Sequence, residues 1–245
     1  MHAARRLIRP LLDRLKALIL GLQRDPATGH LYYPVDGIRH FVRFPAELLR
    51  SAVRRHYFEQ VYFRHYRPSG RDCVVDFGAG LGTEIIPLGR SAPELRYIAV
   101  EIQPWIYECL CLTLAQLPKG FLPFGMAVGD EHVVGITPTR AGEDGSILGD
   151  GPVPVPMVSW AVFAHRMGIE TVDLLKMNVE GAEADLLEHI DLRQVRRVVV
   201  SVHDFRADRG ENEAFRTRAR VEGRLRSAGF RLFPVNANWI FADRE

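Results

Sequence analysis

From residue 73 onward the chain alternates between two periods. Short apolar runs lead into stretches with helical spacing, and the unit repeats. Runs at 73–77, 96–101, 121–128, 172–177 and 196–202 read as strands buried on both faces. Helical spacing follows at about 82–91, 104–117, 181–190 and 211–228, and a short helix is expected at 159–167 after an extended run at 153–158. Residues 230–235 and 239–242 form a closing hairpin, and the Gly- and Asp-rich stretch 130–152 is irregular and placed to act as a lid. Strand-then-helix repetition predicts a doubly wound, mostly parallel sheet with an antiparallel edge strand. Upstream, Leu7, Ile8, Leu11, Leu12, Leu15, Leu18, Ile19 and Leu22 recur at helical spacing over residues 5–24. A turn-rich segment follows (25–37), then a second helix from Pro45 to about Tyr66 and a linker at 67–70. The expected division is therefore an N-terminal helical extension, 1–70, and an α/β domain, 71–245.

The loop after the first strand carries the strongest chemical signal. In Val74-Val75-Asp76-Phe77-Gly78-Ala79-Gly80-Leu81-Gly82-Thr83 a carboxylate precedes three glycines at alternate positions. Glycine permits positive φ and close approach of the backbone to a ligand. The next strand ends in Glu101, followed by Ile102, and an acid there is placed to accept both hydroxyls of a ribose. A dinucleotide fingerprint reads G-x-G-x-x-G and seats a pyrophosphate. Here the spacing is G-x-G-x-G with Asp76 before it and Glu84 after it. An acidic rim suits a cationic cofactor, and S-adenosylmethionine carries a sulfonium and an ammonium. Met126 and Ala127, at the end of the third strand, are expected along the adenine, with Asp130 near its amino group or capping a turn.

A second constellation lies on the same sheet edge. Asp173 to Glu183 begins as a buried strand and ends in Asn178 and Glu180, and Val198 to Asp204 ends in His203 and Asp204. Methyl transfer to oxygen needs an acceptor held in line and a base for its proton. His203 is the expected base, because an ordinary imidazole titrates near neutrality, with Glu180 or Asp204 orienting it. These side chains are also metal-ligand types, but nothing in their spacing demands a metal, and none is expected.

The runs VVDFGAGLGTE, AVEIQP, VPVPMVSW, DLLKMNVEGAE and VSVHDF resemble the FkbM-type methyltransferases that use S-adenosylmethionine. The resemblance spans about 57–242, and LLKMNVEGAE is its most specific part. It implies a class I, Rossmann-like methyltransferase domain and O-methylation of a hydroxyl on a sugar, glycan or polyketide-type small molecule. By this resemblance and the residue reading together, Asp76, Gly78, Ala79, Gly80, Gly82, Glu84, Glu101, Ile102, Met126 and Ala127 hold the cofactor. Asn178, Glu180, His203 and Asp204 line the acceptor side. The family pattern usually has Asp where Asn178 stands and often Glu where Ser201 stands. The first departure removes a charge from beside the expected transfer site.

Composition narrows the picture further. The 245 residues suffice for one large domain and an appendage. Cys73, Cys109 and Cys111 form no C-x-x-C pair and read as thiols of a reducing, cytoplasmic setting. The apolar stretches are too short for a membrane span, and the N-terminus lacks the pattern of a cleaved signal. Charge is uneven: residues 1–72 hold 14 Lys and Arg against 6 Asp and Glu, and residues 73–245 hold 18 against 24. The basic N-terminal helix therefore suits packing, a homodimer contact or a peripheral membrane contact, and no nucleic-acid module is legible. Two rival classes remain: a nicotinamide-dependent oxidoreductase, which the glycine spacing disfavours, and a non-catalytic protein of the same fold that recruits a partner.

Overall fold

The computed structural model describes residues 21–44, 58–130, 133–136 and 151–244. It opens with an antiparallel meander of β1 (Gln23–Arg24), β2 (Leu31–Val35) and β3 (Ile38–Val42). Residues 21–44 of the extension thus hold β-structure. Its cause is local: Asp36 and Gly37 both take positive φ (51° and 82°), as a tight two-residue hairpin requires. The alternation of Tyr33 and Val35 against Tyr32 and Pro34 then turns one face inward. The expected helix at 5–24 lies outside the described residues except at its end, where Gln23 and Arg24 form a strand. The helix expected from Pro45 also lies outside them up to residue 57, and Phe58–Tyr62 form one π-helical turn.

The α/β domain follows the expected rhythm. It runs β4 (Cys73–Phe77), α1 (Ile85–Ser91), β5 (Arg96–Val100), α2 (Pro104–Leu114), β6 (Phe121–Phe124), β7 (Ala127–Val128), β8 (Val133–Ile136) and β9 (Val153–Val158). Then come α3 (Trp160–Met167), β10 (Leu174–Met177), α4 (Glu183–His189), β11 (Arg197–Ser201), α5 (Asp204–Asp208), α6 (Arg218–Ser227), β12 (Arg231–Asn236) and β13 (Trp239–Asp243). Seven strands form the central sheet in the order β12-β13-β11-β10-β4-β5-β6. β6, β5, β4, β10 and β11 pair in parallel, while β13 is antiparallel to both of its neighbours. The antiparallel strand therefore sits one position in from the edge. Trp239 to Ala242 are all buried and need a partner on each side, whereas β12 is half exposed and tolerates the edge.

Two further departures are local. The strand expected over 121–128 breaks after Phe124, and β7 joins a small separate sheet with β9 and β8. The long helix expected from 211 begins only at Arg218, after the short α5 and a 3-10 turn at Glu213–Phe215. Most of the proposed lid, 137–150, lies outside the described residues. Among the described residues no helix is long and apolar enough to cross a membrane.

Chain direction reverses across the sheet at β4: β5 and β6 lie to one side, β10 and β11 to the other. In such a sheet a crevice opens outside the carboxyl ends of the central strands. The site is found there.

Candidate cofactor and acceptor cavity

A cavity of about 240 Å³ sits at the carboxyl ends of β4, β5 and β10. Its floor is the turn after β4. Gly78 has φ 76°, and a Cβ there would lie 2.0 Å from the backbone oxygen of Asn178. Only glycine lets the turn pass so close to the end of β10. Gly78 and Ala79 donate their N–H groups to Val100 O, each at 3.0 Å. The Gly80 N–H donates to Glu101 Oε2 at 3.0 Å, and the Gln103 N–H donates to Glu101 Oε1 at 2.8 Å. The Glu101 carboxylate is thus fixed at the rim of the cavity by two backbone donors.

Of the residues expected to hold a cofactor, Gly78, Gly80, Glu101, Ile102 and Ala127 line this cavity. From the acceptor group, Asn178 and Glu180 do so. The others lie elsewhere. Ala79 is buried in the core, and Gly82 is packed where a Cβ would meet Leu110 at 2.8 Å. The sulfur of Met126 contacts Arg166 at 3.4 Å, and Met157 of β9 lines the cavity instead. Asp204 accepts the Thr217 and Arg218 N–H groups, both at 2.9 Å, near the start of α6. Asp204 therefore does not line the cavity.

Asp76 and Glu84 turn away from the cavity into the core. Lys176, in the middle of β10 and fully buried, places its ammonium 2.7 Å from Asp76 Oδ1 and 2.7 Å from Glu84 Oε1. The Tyr97 hydroxyl donates to Asp76 Oδ2 at 2.7 Å, and the Tyr62 ring stands 4.9 Å from the ammonium. Burial opposes the lysine's charge, but Asp76 and Glu84 outweigh it and hold the Lys176 pKa above its ordinary value. Burial also raises the Asp76 carboxyl against the pull of Lys176, and Glu84 adds to the rise. The acidic rim read from the sequence is therefore a buried ion network beneath the glycine turn. The signal for it in the sequence is Lys176 itself, a cation inside an apolar strand that is expected to pair with a nearby acid.

His203 is also buried. Its Nδ1 lies 2.6 Å from Glu183 Oε1 and its Nε2 3.4 Å from Glu180 Oε1. Burial alone would lower its pKa. The hydrogen bonds to Glu180 and Glu183 dominate, and the group is pushed up to about 10. A pKa raised this far favours the imidazolium, which has no lone pair to take a proton, and so argues against His203 as the general base. It serves instead as a clamp. Glu180 adopts φ 52°, a conformation that side chains other than glycine's rarely take. It is held there by His203 and by Arg206 Nη1 at 3.1 Å, while Glu183 Oε1 accepts from the Gly181 N–H at 3.0 Å.

The structure adds residues that the sequence reading did not single out: Gln103, Gly129, Met157, Asp185 and His189 all line the cavity. Gln103 is buried, and its Oε1 has no hydrogen-bond partner among the described residues. A buried acceptor left open in a cavity wall calls for a donor from a ligand. Met157 was legible, since alternation along Val153-Pro154-Val155-Pro156-Met157 puts 153, 155 and 157 on one face. Asp185 and His189 were not, because both lie on α4, and only the docking of that helix brings them to the cavity. His189 Nδ1 lies 3.4 Å from Asp130 Oδ1 at the mouth. Among the described residues no three His, Cys, Asp or Glu side chains converge as a metal-binding set.

A glycine turn against a strand-end carboxylate, in a sheet of this order, defines the Rossmann-like fold of class I methyltransferases. Residues 124–232 match the methyltransferase FkbM domain, the family that the sequence motifs resemble, which supports a methyltransferase that uses S-adenosylmethionine. The fold is similar to that of an O-methyltransferase family protein from Burkholderia thailandensis, with 12% identity and a TM-score of 0.50. The alignment covers 82% of this chain and 59% of that one. A precorrin-6y C5,15-methyltransferase from Geobacter metallireducens aligns at 11% identity and a TM-score of 0.48, over 87% of this chain and 94% of that chain. Aeropyrum pernix fibrillarin, with natively bound S-adenosyl-L-methionine, aligns at 15% identity and a TM-score of 0.43, over 89% and 83%. No curated protein sequence matches the chain.

Proposed function

We propose that this methyltransferase acts on a hydroxyl group of a neutral, polyhydroxylated small molecule or glycan. The observation that carries the reading is the presence of Glu101 and Glu180 in one cavity, at the ends of the two strands that flank β4. Glu101 stands at the end of β5 beside the glycine turn, and Glu180 stands just beyond the end of β10.

The residues fit S-adenosylmethionine. The Glu101 carboxylate suits ribose hydroxyls, and the open Gln103 Oε1 suits a further donor. Ala127, Val128 and Met157 offer an apolar wall for an adenine. When bound, the cofactor supplies an electrophilic methyl group. The chain supplies the rest. Glycine at position 78 lets the turn pack directly against the Asn178 backbone, and the Asn178 side chain orients an acceptor. Glu180, held by His203 and Arg206, accepts the acceptor's hydroxyl proton as the new bond forms. Glu101, Asp130, Glu180 and Asp185 all line the cavity, and four carboxylates repel a polyanion. That favours a neutral acceptor over a nucleic acid.

The test has two stages. Calorimetry with S-adenosylhomocysteine should give micromolar-range binding, with no heat from NAD. Transfer of labelled methyl from S-adenosylmethionine is then screened over sugars, glycans and polyketide-like alcohols. Binding followed by alkali-stable methyl transfer to a hydroxyl supports the reading. Labelling of amines only, or of RNA only, overturns it. Binding with no transfer to any acceptor class favours a non-catalytic role.

A further inference from the structure

The N-terminal meander is joined to the cofactor cavity through one side chain. His40 of β3 is fully buried, and its Nε2 lies 2.8 Å from the backbone oxygen of Leu81, inside the glycine turn. A carbonyl only accepts, which assigns the proton to Nε2. The other ring nitrogen contacts the hydroxyl of Tyr33, on the facing strand. Leu81 stands between two glycines of positive φ, Gly80 at 57° and Gly82 at 75°. Such a turn has many accessible conformations, and a buried carbonyl without a donor is costly. The imidazole removes that cost in only one orientation of the Leu81 peptide group. Two peptide units earlier in the same turn, the Gly80 N–H donates to Glu101.

The rest of the meander is fitted to the same place. Phe41 N–H donates to Thr113 Oγ1 at 3.1 Å, and Arg39 exchanges two hydrogen bonds with Gln116, which anchors β3 along α2 and just beyond its end. Arg90, at the end of α1, donates to the Asp36 oxygen at 2.7 Å. Tyr33, Val35, Phe41 and Val42 pack with Leu81, Ile86 and Ile106 in one apolar cluster. The meander is thereby held to both helices that flank the turn.

We propose that His40 is a positioning residue of the cofactor turn, and that through this one side chain the N-terminal meander supports the turn. The inference rests on the reading of the cavity as the S-adenosylmethionine site. It concerns binding and pre-organisation, not the transfer step.

The test compares full-length His40→Leu, His40→Gln and Val42→Ala with wild type. His40→Leu keeps bulk and removes the donor, whereas the Gln amide can restore one to Leu81. Val42→Ala loosens the same apolar cluster without touching the bond. Two readouts are taken: hydrogen exchange of the 78–82 amides without ligand, and the S-adenosylhomocysteine Kd. We expect faster exchange and roughly tenfold weaker binding in His40→Leu, as for one buried hydrogen bond. His40→Gln should recover most of both, and Val42→Ala should lower Tm while leaving both near wild type. Unchanged exchange in His40→Leu overturns the proposal, as does an equal effect from Val42→Ala. If His40→Leu does not fold, Tyr33→Phe replaces it. Faster turn exchange there supports the proposal, and unchanged exchange overturns it. Should wild type itself bind no S-adenosylhomocysteine, the functional reading fails, and the exchange data alone judge His40.

Discussion

Lys176 and Asp76 lie one hundred residues apart in sequence, yet the ammonium of one sits 2.7 Å from a carboxylate oxygen of the other at the centre of the sheet. β4 and β10 are neighbours in register, with Lys176 directly opposite Asp76. The pair, with Glu84, is a foundation under the glycine turn and not a contact surface for a ligand.

Removing Lys176 should therefore be severe. Lys176→Met leaves Asp76 and Glu84 buried without their cation, a loss of about 3–5 kcal/mol. Urea unfolding should show a lower midpoint with an unchanged slope. The triple variant with Asp76→Asn and Glu84→Gln should recover part of the loss. A further fall in the triple variant would mean that the network contributes through geometry more than through charge.

His203 makes stability depend on pH. Its folded pKa of about 10 lies above the ordinary 6.5, so the imidazolium is favoured by folding. That contribution is fully present below about pH 6.5 and is lost as the pH rises through the folded value. Wild type should lose about 2–4 kcal/mol between pH 6.5 and 10 relative to His203→Gln, measured by denaturant unfolding at several pH values. In turnover, wild type should show no limb near pH 6.5 arising from this residue. A limb there that vanishes in His203→Gln would restore the general-base role.

Glu180 carries the proposed proton-accepting role. Glu180→Gln should lower kcat by about 10²–10⁴-fold, the usual range for a lost general base. The Kd for S-adenosylhomocysteine should stay within about threefold of wild type, since the cofactor contact proposed for Glu101 is at the end of another strand. A matching loss in both would place Glu180 in cofactor binding instead.

Glu101→Ala should weaken S-adenosylmethionine binding by about 1–3 kcal/mol, the cost of losing a charged hydrogen-bond partner. Calorimetry reads this directly. The substitution also frees the Gly80 and Gln103 N–H groups, so exchange of those amides should rise. Undiminished affinity would remove Glu101 from the cofactor site.

The sheet was legible because its strands are apolar on both faces and its glycine turn has one function compatible with its spacing. Gly78, Gly80 and Glu101 could be assigned for the same reason: backbone conformation and strand-end position are local properties. The N-terminal hairpin was legible in principle from Asp36-Gly37, but its strands are short and helical spacing nearby competes with them. The protonation of His203 was not legible. It depends on Glu183, twenty residues earlier, arriving 2.6 Å from Nδ1 when α4 docks against the end of β11.

From the sequence alone came the parallel sheet, the carboxyl edge that carries the site, and the residues whose roles rest on backbone shape. Tertiary structure decided which of the acids face the cavity and which face a lysine. It also decided that the His203 pKa is raised and that the meander reaches the cofactor turn through His40. The difference is physical: backbone conformation is set by neighbours along the chain, while charge state and side-chain direction are set by what folding brings within a few ångströms.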